Sequence, residues 1–168
     1  MAIGLIILAI VIWCFGFVLL SGAPYLPTLK KQIKLAFDLA DLKPGDTIIE
    51  LGCGDGRVLL AAERAGLNVV GYELNPILFI IAKLRTMPYR DKVKVVFGNF
   101  WRKKWPQAEA IYVFLLPRLM DKLDNKIVLE KLGDIQVISF AFKFPKRQPV
   151  YEQDGVFIYS FKGPKIKS

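Results

Sequence analysis

The sequence predicts an α/β fold: a doubly wound sheet with an antiparallel strand at its C-terminal end, preceded by an N-terminal transmembrane helix. Three observations carry this. Between residues 46 and 142, short apolar runs alternate with segments of helical period, the pattern of strands buried on both faces by covering helices. After them, "PVYEQ" (149–153) and "VFIYSF" (156–161) are separated only by Asp154-Gly155, which reads as two strands joined by a hairpin turn. At the other end, residues 2–20 read AIGLIILAIVIWCFGFVLL, and no charged side chain precedes Lys30.

The N-terminal run comes first. About 19 apolar residues at about 1.5 Å each make a helix of about 28 Å, close to the hydrocarbon thickness of a bilayer. A buried core helix would rarely be apolar on every side. A cleaved signal peptide could end at Ser21, Gly22 and Ala23, but it would carry a basic n-region and a shorter apolar run. Residues 1–22 are therefore expected to be a membrane anchor and residues 23–168 a single domain. Lys30, Lys31 and Lys34 follow the span at once. By the positive-inside rule they place the domain on the cytoplasmic side of a single-pass membrane protein.

Pro24 and Pro27 punctuate the exit from the span. "TLKKQIKLAFDLADL" (28–42) has helical period, with Leu29, Ile33, Ala36, Phe37 and Ala40 on one face and Thr28 as N-cap. Pro44-Gly45 stops it. Strands are expected over 46–51, 68–73, 93–98, 110–116 and 135–142, and helices over 56–65, 75–86 and 117–131.

Composition excludes some chemistry. The chain has 168 residues, 54% hydrophobic, and no histidine. The commonest general base and the commonest metal ligand are thus missing. The two cysteines, Cys14 in the span and Cys53 in a glycine turn, have neither disulfide-framework nor metal-ligand spacing, and no metal is expected. The net charge of +9 is spread over several clusters. Anionic lipid, nucleic acid and plain solvation all remain open as its meaning.

The most informative stretch is "IIELGCGDGRVLL" (48–60). In a doubly wound sheet, ligands sit beyond the carboxyl ends of the strands. The spacing Gly52-x-Gly54-x-Gly56 is not the dinucleotide G-x-G-x-x-G, and no Gly-Lys-Ser/Thr of a P-loop follows. Glu50, just before the turn, is unsuited to a pyrophosphate. S-adenosylmethionine (SAM) has no phosphate and carries a sulfonium and an ammonium, which an acid suits. Glycines let the backbone approach closely. Glu73 ends the second strand, where a carboxylate can accept both ribose hydroxyls, and Asn99 follows the third, where an amide can pair with adenine.

The sequence also resembles a known family. "LKPGDTIIELGCGDGRVLLAA" (42–62) followed by "GYELNP" (71–76) resembles the Rossmann-like, seven-β-strand SAM-dependent methyltransferases. With "PYLPT" (24–28), "GNFW" (98–101), "VFLLP" (113–117), "FKFP" (142–145) and the apolar N-terminus, it is similar to the small membrane-anchored protein lysine methyltransferases. These include the mitochondrial enzymes modifying adenine nucleotide translocase and the ATP synthase c-subunit, and the chain resembles a prokaryotic-type member. The resemblance implies a cofactor set of Pro27, Thr28, Glu50, Gly52, Cys53, Gly54, Asp55, Gly56, Glu73, Leu74, Asn75, Asn99 and Phe100. It implies S-adenosyl-L-homocysteine as by-product. Tyr25, Trp101, Phe114 and Pro117 would line the substrate end, with Leu116 and Phe144 as further apolar walls. Relatives often have Asp at 99, Ser at 53 and a tryptophan near "FPKRQP" (144–149), which this chain lacks.

The expected function is methylation of a lysine on a membrane or membrane-proximal protein, with the chain held by its N-terminal helix and basic surface. Lipid or hydrophobic small-molecule methylation is the alternative, followed by RNA methylation or a silent SAM-binding module. No specific nucleic acid is expected, because "FLLP" (114–117) lacks the Asn/Asp-Pro-Pro-Tyr/Phe tetrad of amino-methylating nucleic-acid enzymes.

Overall fold

The computed structural model describes residues 4–5 and 30–163. Tyr25, Pro27, Thr28 and nearly all of the apolar run 2–20 lie outside the described residues. Among those described, no helix is long and apolar enough to cross a membrane.

The elements in chain order are α1 (Lys30–Leu39), β1 (Thr47–Leu51), α2 (Arg57–Arg64), β2 (Asn68–Glu73), α3 (Pro76–Thr86), β3 (Val93–Phe97), β4 (Ala110–Val113), α4 (Pro117–Glu130), β5 (Ile135–Phe140), β6 (Tyr151–Gln153) and β7 (Val156–Phe161). Short 3₁₀ turns lie at Met87–Tyr89 and Phe100–Arg102. The seven strands form one sheet in the order β3-β2-β1-β4-β5-β7-β6. Strands β1 to β5 pair in parallel, and β7 runs antiparallel to both β5 and β6.

The apolar runs are explained by two covered faces. Successive strand residues point to opposite sides. Ile48, Val69, Tyr112 and Ile138 pack with Ile33, Phe37, Leu59 and Ala82 of α1, α2 and α3. Ile49, Ile111 and Val137 pack with Met120, Leu123 and Ile127 of α4. The expected face of the first helix is buried at Ile33, Ala36, Phe37 and Ala40.

Two expectations shift, and the pairing of the hairpin, which the sequence leaves open, is decided by burial. The first helix ends at Leu39, and Asp41 takes φ 50°, so the stop precedes Pro44-Gly45. The hairpin is present, with Asp154 and Gly155 at φ 49° and 77° as a primed turn requires. However, it folds back so that β7, not β6, pairs with β5. The reason is burial: "VFIYSF" is buried at five of its six positions, whereas "YEQ" is exposed throughout and takes the edge. The other shift is that β4 ends at Val113 rather than 116. Val113 faces Leu51, the last residue of β1, and beyond it there is no strand on that side to pair with. Residues 114–116 thereby become a loop at the carboxyl end of β4. Neighbouring β1 and β4 lead in opposite directions across the sheet, which makes their carboxyl ends the switch-point crevice.

Candidate active site

The turn after β1 occupies that crevice. Gly52, Gly54 and Gly56 have φ of 89°, 55° and 80°, in the left-handed region where an L side chain is strained. A Cβ on Gly52 would meet nothing within 4 Å, so the outer side of the turn is open to a ligand. At Gly56 a Cβ would lie 3.2 Å from Ala82, because the start of α2 presses against α3. The N–H groups of Gly52 and Cys53 both donate to the Tyr72 carbonyl at 2.9 Å, which ties the turn to β2.

Glu73, the last residue of β2, organises the turn from beneath. Its Oε2 accepts from Gly54 N–H at 2.7 Å and its Oε1 from Asn75 N–H at 2.7 Å. Burial raises its pKa, against the opposing pull of these backbone donors and that of Leu74. Each carboxylate oxygen has a second lone pair, so the group can still accept hydroxyls. Asn75 caps α3: its Oδ1 accepts from Ile77 and Leu78 N–H at 2.9 and 3.2 Å, with Pro76 at the first helical position. It therefore supports Glu73 from behind.

Asp55 is buried, and its carboxylate is claimed by two arginines. Arg57 Nε and Nη2 donate at 3.0 and 2.9 Å, and Arg85 Nη1 of α3 donates at 2.5 Å. Its role in this structure is to clamp the turn to α3. Arg85 is not legible in the sequence, since only the tertiary fold brings it across 30 residues.

Glu50 is different. It is 5% exposed, and its Oε2 has no hydrogen-bond partner among the described residues. Burial pushes its pKa well above the usual 4.5, and the negative charges of Glu73 and Asp55 add to the rise. The Cys53 thiol is also pushed up, first by burial and then by Glu50 and Glu73, which makes it a poor nucleophile. A buried, unpartnered acid among other acids fits a ligand that carries positive charge.

Gly71 completes the floor. It pairs with Glu50 across the sheet, and a Cβ there would lie 2.7 Å from Leu59 Cδ2 and 2.9 Å from Cys53 Cβ. A glycine inside a strand is the sequence signal of such close packing. Gly71→Ala is expected to destabilise the fold by about 1–3 kcal/mol through overpacking, measured by urea denaturation. An unchanged midpoint would show that the floor has slack.

The other expected residues separate into two places. Asn99 Oδ1 accepts from Trp101 N–H at 3.0 Å and starts the 3₁₀ turn beyond β3. The Phe100 and Trp101 rings lie 4.6 Å apart, tilted by 40°, and Lys122 Nζ of α4 lies 4.5 Å over the Trp101 ring. Trp101 thus already holds a cation of this chain. Phe114, just past β4, faces Phe140 and Phe142 at ring distances of 5.5 and 5.8 Å, the latter pair stacked at 11°. All three are half-buried. Pro117 is the exposed first residue of α4, and Leu116 precedes it. Phe144, expected as a wall, is instead 2% exposed in the core against Tyr159 and Phe161. The run "FAFKF" presents alternate aromatics, and it is Phe140 and Phe142 that stand with Phe114. Neither is singled out by the sequence, in which 135–142 reads as one strand, whereas β5 ends at Phe140.

Comparison with known proteins decides among the ligands such a crevice could serve. The ANTKMT methyltransferase domain family matches residues 50–151, from Glu50 through the start of β6. The chain belongs to this family. It is 32% identical over 130 residues to the human ATP synthase c-subunit lysine N-methyltransferase, covering 75% of this chain and 54% of that enzyme. It therefore spans about half the length of that relative. It is 32% identical over 154 residues to mouse adenine nucleotide translocase lysine N-methyltransferase, covering 86% of this chain and 67% of the relative. The fold is also that of an RNA methyltransferase from Salinibacter ruber crystallised with S-adenosyl-L-homocysteine, with TM-score 0.74, 26% identity, and coverage of 85% of this chain and 97% of that one. Within the ANTKMT methyltransferase family, the glycine turn, Glu50 and Glu73 all fall inside or at the edge of the matched domain.

Proposed function

We propose that this member of the ANTKMT methyltransferase family is a SAM-dependent lysine N-methyltransferase whose substrate is a membrane or membrane-proximal protein. The observation that carries the cofactor is Glu50: a buried carboxylate whose free oxygen has no partner among the described residues, at the mouth of an open glycine turn. When bound, SAM supplies a methyl group activated by a sulfonium. Glu50 would answer its positive charge, Glu73 would accept its ribose hydroxyls, the 52–56 turn would admit it closely, and Asn99 and Phe100 would flank its adenine.

The substrate lysine must arrive uncharged, since an ammonium has no lone pair. There is no histidine to take its proton. Phe114, Phe140 and Phe142 instead offer a half-buried aromatic cluster past the carboxyl end of β4. Desolvation there lowers an amine's pKa, and the aromatic faces attract whatever cationic fraction remains. These side chains hold the amine, exclude water and align it.

The names of the two lysine methyltransferases support a lysine in a membrane protein as substrate. The apolar run 2–20 followed by Lys30, Lys31 and Lys34 supports a single-pass anchor with the domain on the cytoplasmic side. Anchoring raises the effective concentration of membrane-borne substrate. A second reading, RNA methylation, is favoured by the likeness to the Salinibacter ruber enzyme and by 33% identity over 78 residues to a Thermotoga neapolitana ribosomal RNA small subunit methyltransferase. Against it stands the 114–117 loop, Phe-Leu-Leu-Pro, without the tetrad of amino-methylating nucleic-acid enzymes.

The test is transfer of labelled methyl from SAM to detergent-treated membranes, with protein, lipid and RNA products separated. Label recovered as methyl-lysine is the expected result. Label confined to lipid or RNA overturns the substrate assignment, and SAM binding without any transfer overturns the activity.

A further inference from the structure

α3 is a helix with too much apolar surface for the core it serves. It buries one stripe, Leu78, Ala82 and Thr86. Ile80, Leu84 and Met87, spaced i, i+4 and i+7 along the helix and the turn after it, are 55%, 64% and 62% exposed. Such a row lies along one side of a helix. Phe97 of the edge strand β3 extends the patch, 49% exposed and 5.2 Å from the Phe79 ring.

Beside this row lies a groove of about 640 Å³ between the end of α3 and the starts of β2 and β3. Lys83, Arg90, Lys92 and Lys94 line it with Met87, and Asp91 is its one acidic residue. None of the four cations forms an ion pair among the described residues. An exposed aliphatic row rimmed by unpaired cations is the pattern of a surface that lies in an anionic lipid interface.

We propose that α3, the following turn and β3 form a membrane-docking face. Ile80, Leu84 and Met87 enter the interface, while Lys83, Arg90 and Lys92 take lipid phosphates. A second copy of the chain fits poorly, because a two-fold contact would press one set of unpaired cations against the other. RNA is the poorer fit, because the most exposed row, Ile80, Leu84 and Met87, is aliphatic and offers bases no stacking platform, and Phe97 is already engaged by Phe79. The apolar segment 2–20 has no anionic group to match the cations. The inference rests on the proposed function and deepens its membrane part. α3 runs from Pro76, at the crevice end of the sheet, to Thr86 at the opposite edge, where the cations lie, so docking along it would lay the domain side-on to the bilayer with the crevice towards one end.

The test uses the full chain with Cys14→Ser and Leu84→Cys, labelled at position 84 with an environment-sensitive fluorophore. Cys53 is buried and stays unlabelled. A label on Asn125→Cys in α4, on the opposite layer, is the control. The probe is vesicles of phosphatidylcholine with or without phosphatidylglycerol, carrying a nitroxide quencher on the lipid. Quenching at 84 but not at 125, only with phosphatidylglycerol, is expected. Arg90→Ala with Lys92→Ala should reduce the docked-to-undocked ratio about fivefold per cation removed. Vesicle flotation without quenching at 84 overturns the docking face and leaves the anchor standing. Absence of flotation overturns both. Burial of the label without lipid, by self-association or by a crosslink to segment 2–20, also overturns it. Methyl transfer to a detergent-solubilised substrate is scored separately and does not depend on either result.

Discussion

Glu50→Gln is expected to weaken SAM binding and, at neutral pH, to stabilise the cofactor-free protein. Few substitutions move both quantities in these directions. The carboxyl of Glu50 is buried, one oxygen is unpartnered among the described residues, and Glu73 and Asp55 add negative charge around it. Its pKa in the folded state therefore lies well above 4.5. For an acid shifted upward, the folded chain holds the proton more tightly than the unfolded chain does. Stability is then greatest below the unfolded pKa and falls as pH rises through the folded one, by about 1.4 kcal/mol per pH unit across that window. Glutamine has no such dependence. Denaturation in urea at about pH 5 and about pH 7.5 should show the variant gaining on the natural protein at the higher pH.

A cationic ligand favours the ionised form, so SAM binding should release a proton where Glu50 is still protonated. Calorimetry in buffers of different ionisation heat reads that directly. Loss of one charge-assisted contact is worth about 1.5–3 kcal/mol, or about ten- to a hundredfold in affinity. Equal affinity and equal pH dependence in the two proteins would remove Glu50 from the site.

Glu73→Ala should abolish SAM binding and also cost stability. Two backbone donors, Gly54 and Asn75 N–H, lose the carboxylate that holds them at 2.7 Å. Bonds to a charged acceptor contribute about 1.5–3 kcal/mol each, so a loss of about 3 kcal/mol or more is expected. Glu73→Gln keeps one acceptor oxygen and should recover part of the stability while binding SAM weakly. Stability is read by urea denaturation and affinity by calorimetry. A fully stable Glu73→Ala protein would mean the turn does not depend on this residue, and unchanged affinity would mean the ribose lies elsewhere.

The contrast between these two acids shows what is legible in advance. Both are visible as carboxylates at strand ends beside a glycine turn. Their different states are not. Glu73 is held by N–H groups of two different loops, whereas Oε2 of Glu50 finds no hydrogen-bond partner among the described residues. The same limit applies to the aromatics. Phe114, Trp101 and Phe144 are equivalent in the sequence, yet one stands at the crevice, one under Lys122 and one in the core. Asp55 is readable as part of the turn, but Arg85 arrives from another helix to clamp it.

Local chemistry was enough to determine the alternation of strands and helices, the hairpin at Asp154-Gly155 and the glycine turn itself. Each depends on hydrophobic period or on the φ a few residues can adopt, which neighbours in sequence decide. Tertiary structure alone decided that β7 inserts beside β5, that β4 stops at Val113 to free Phe114, and that α3 turns an aliphatic row away from the core. Those outcomes depend on which surfaces compete for a limited interior and on charges that meet only after folding, and neither is encoded within any one segment.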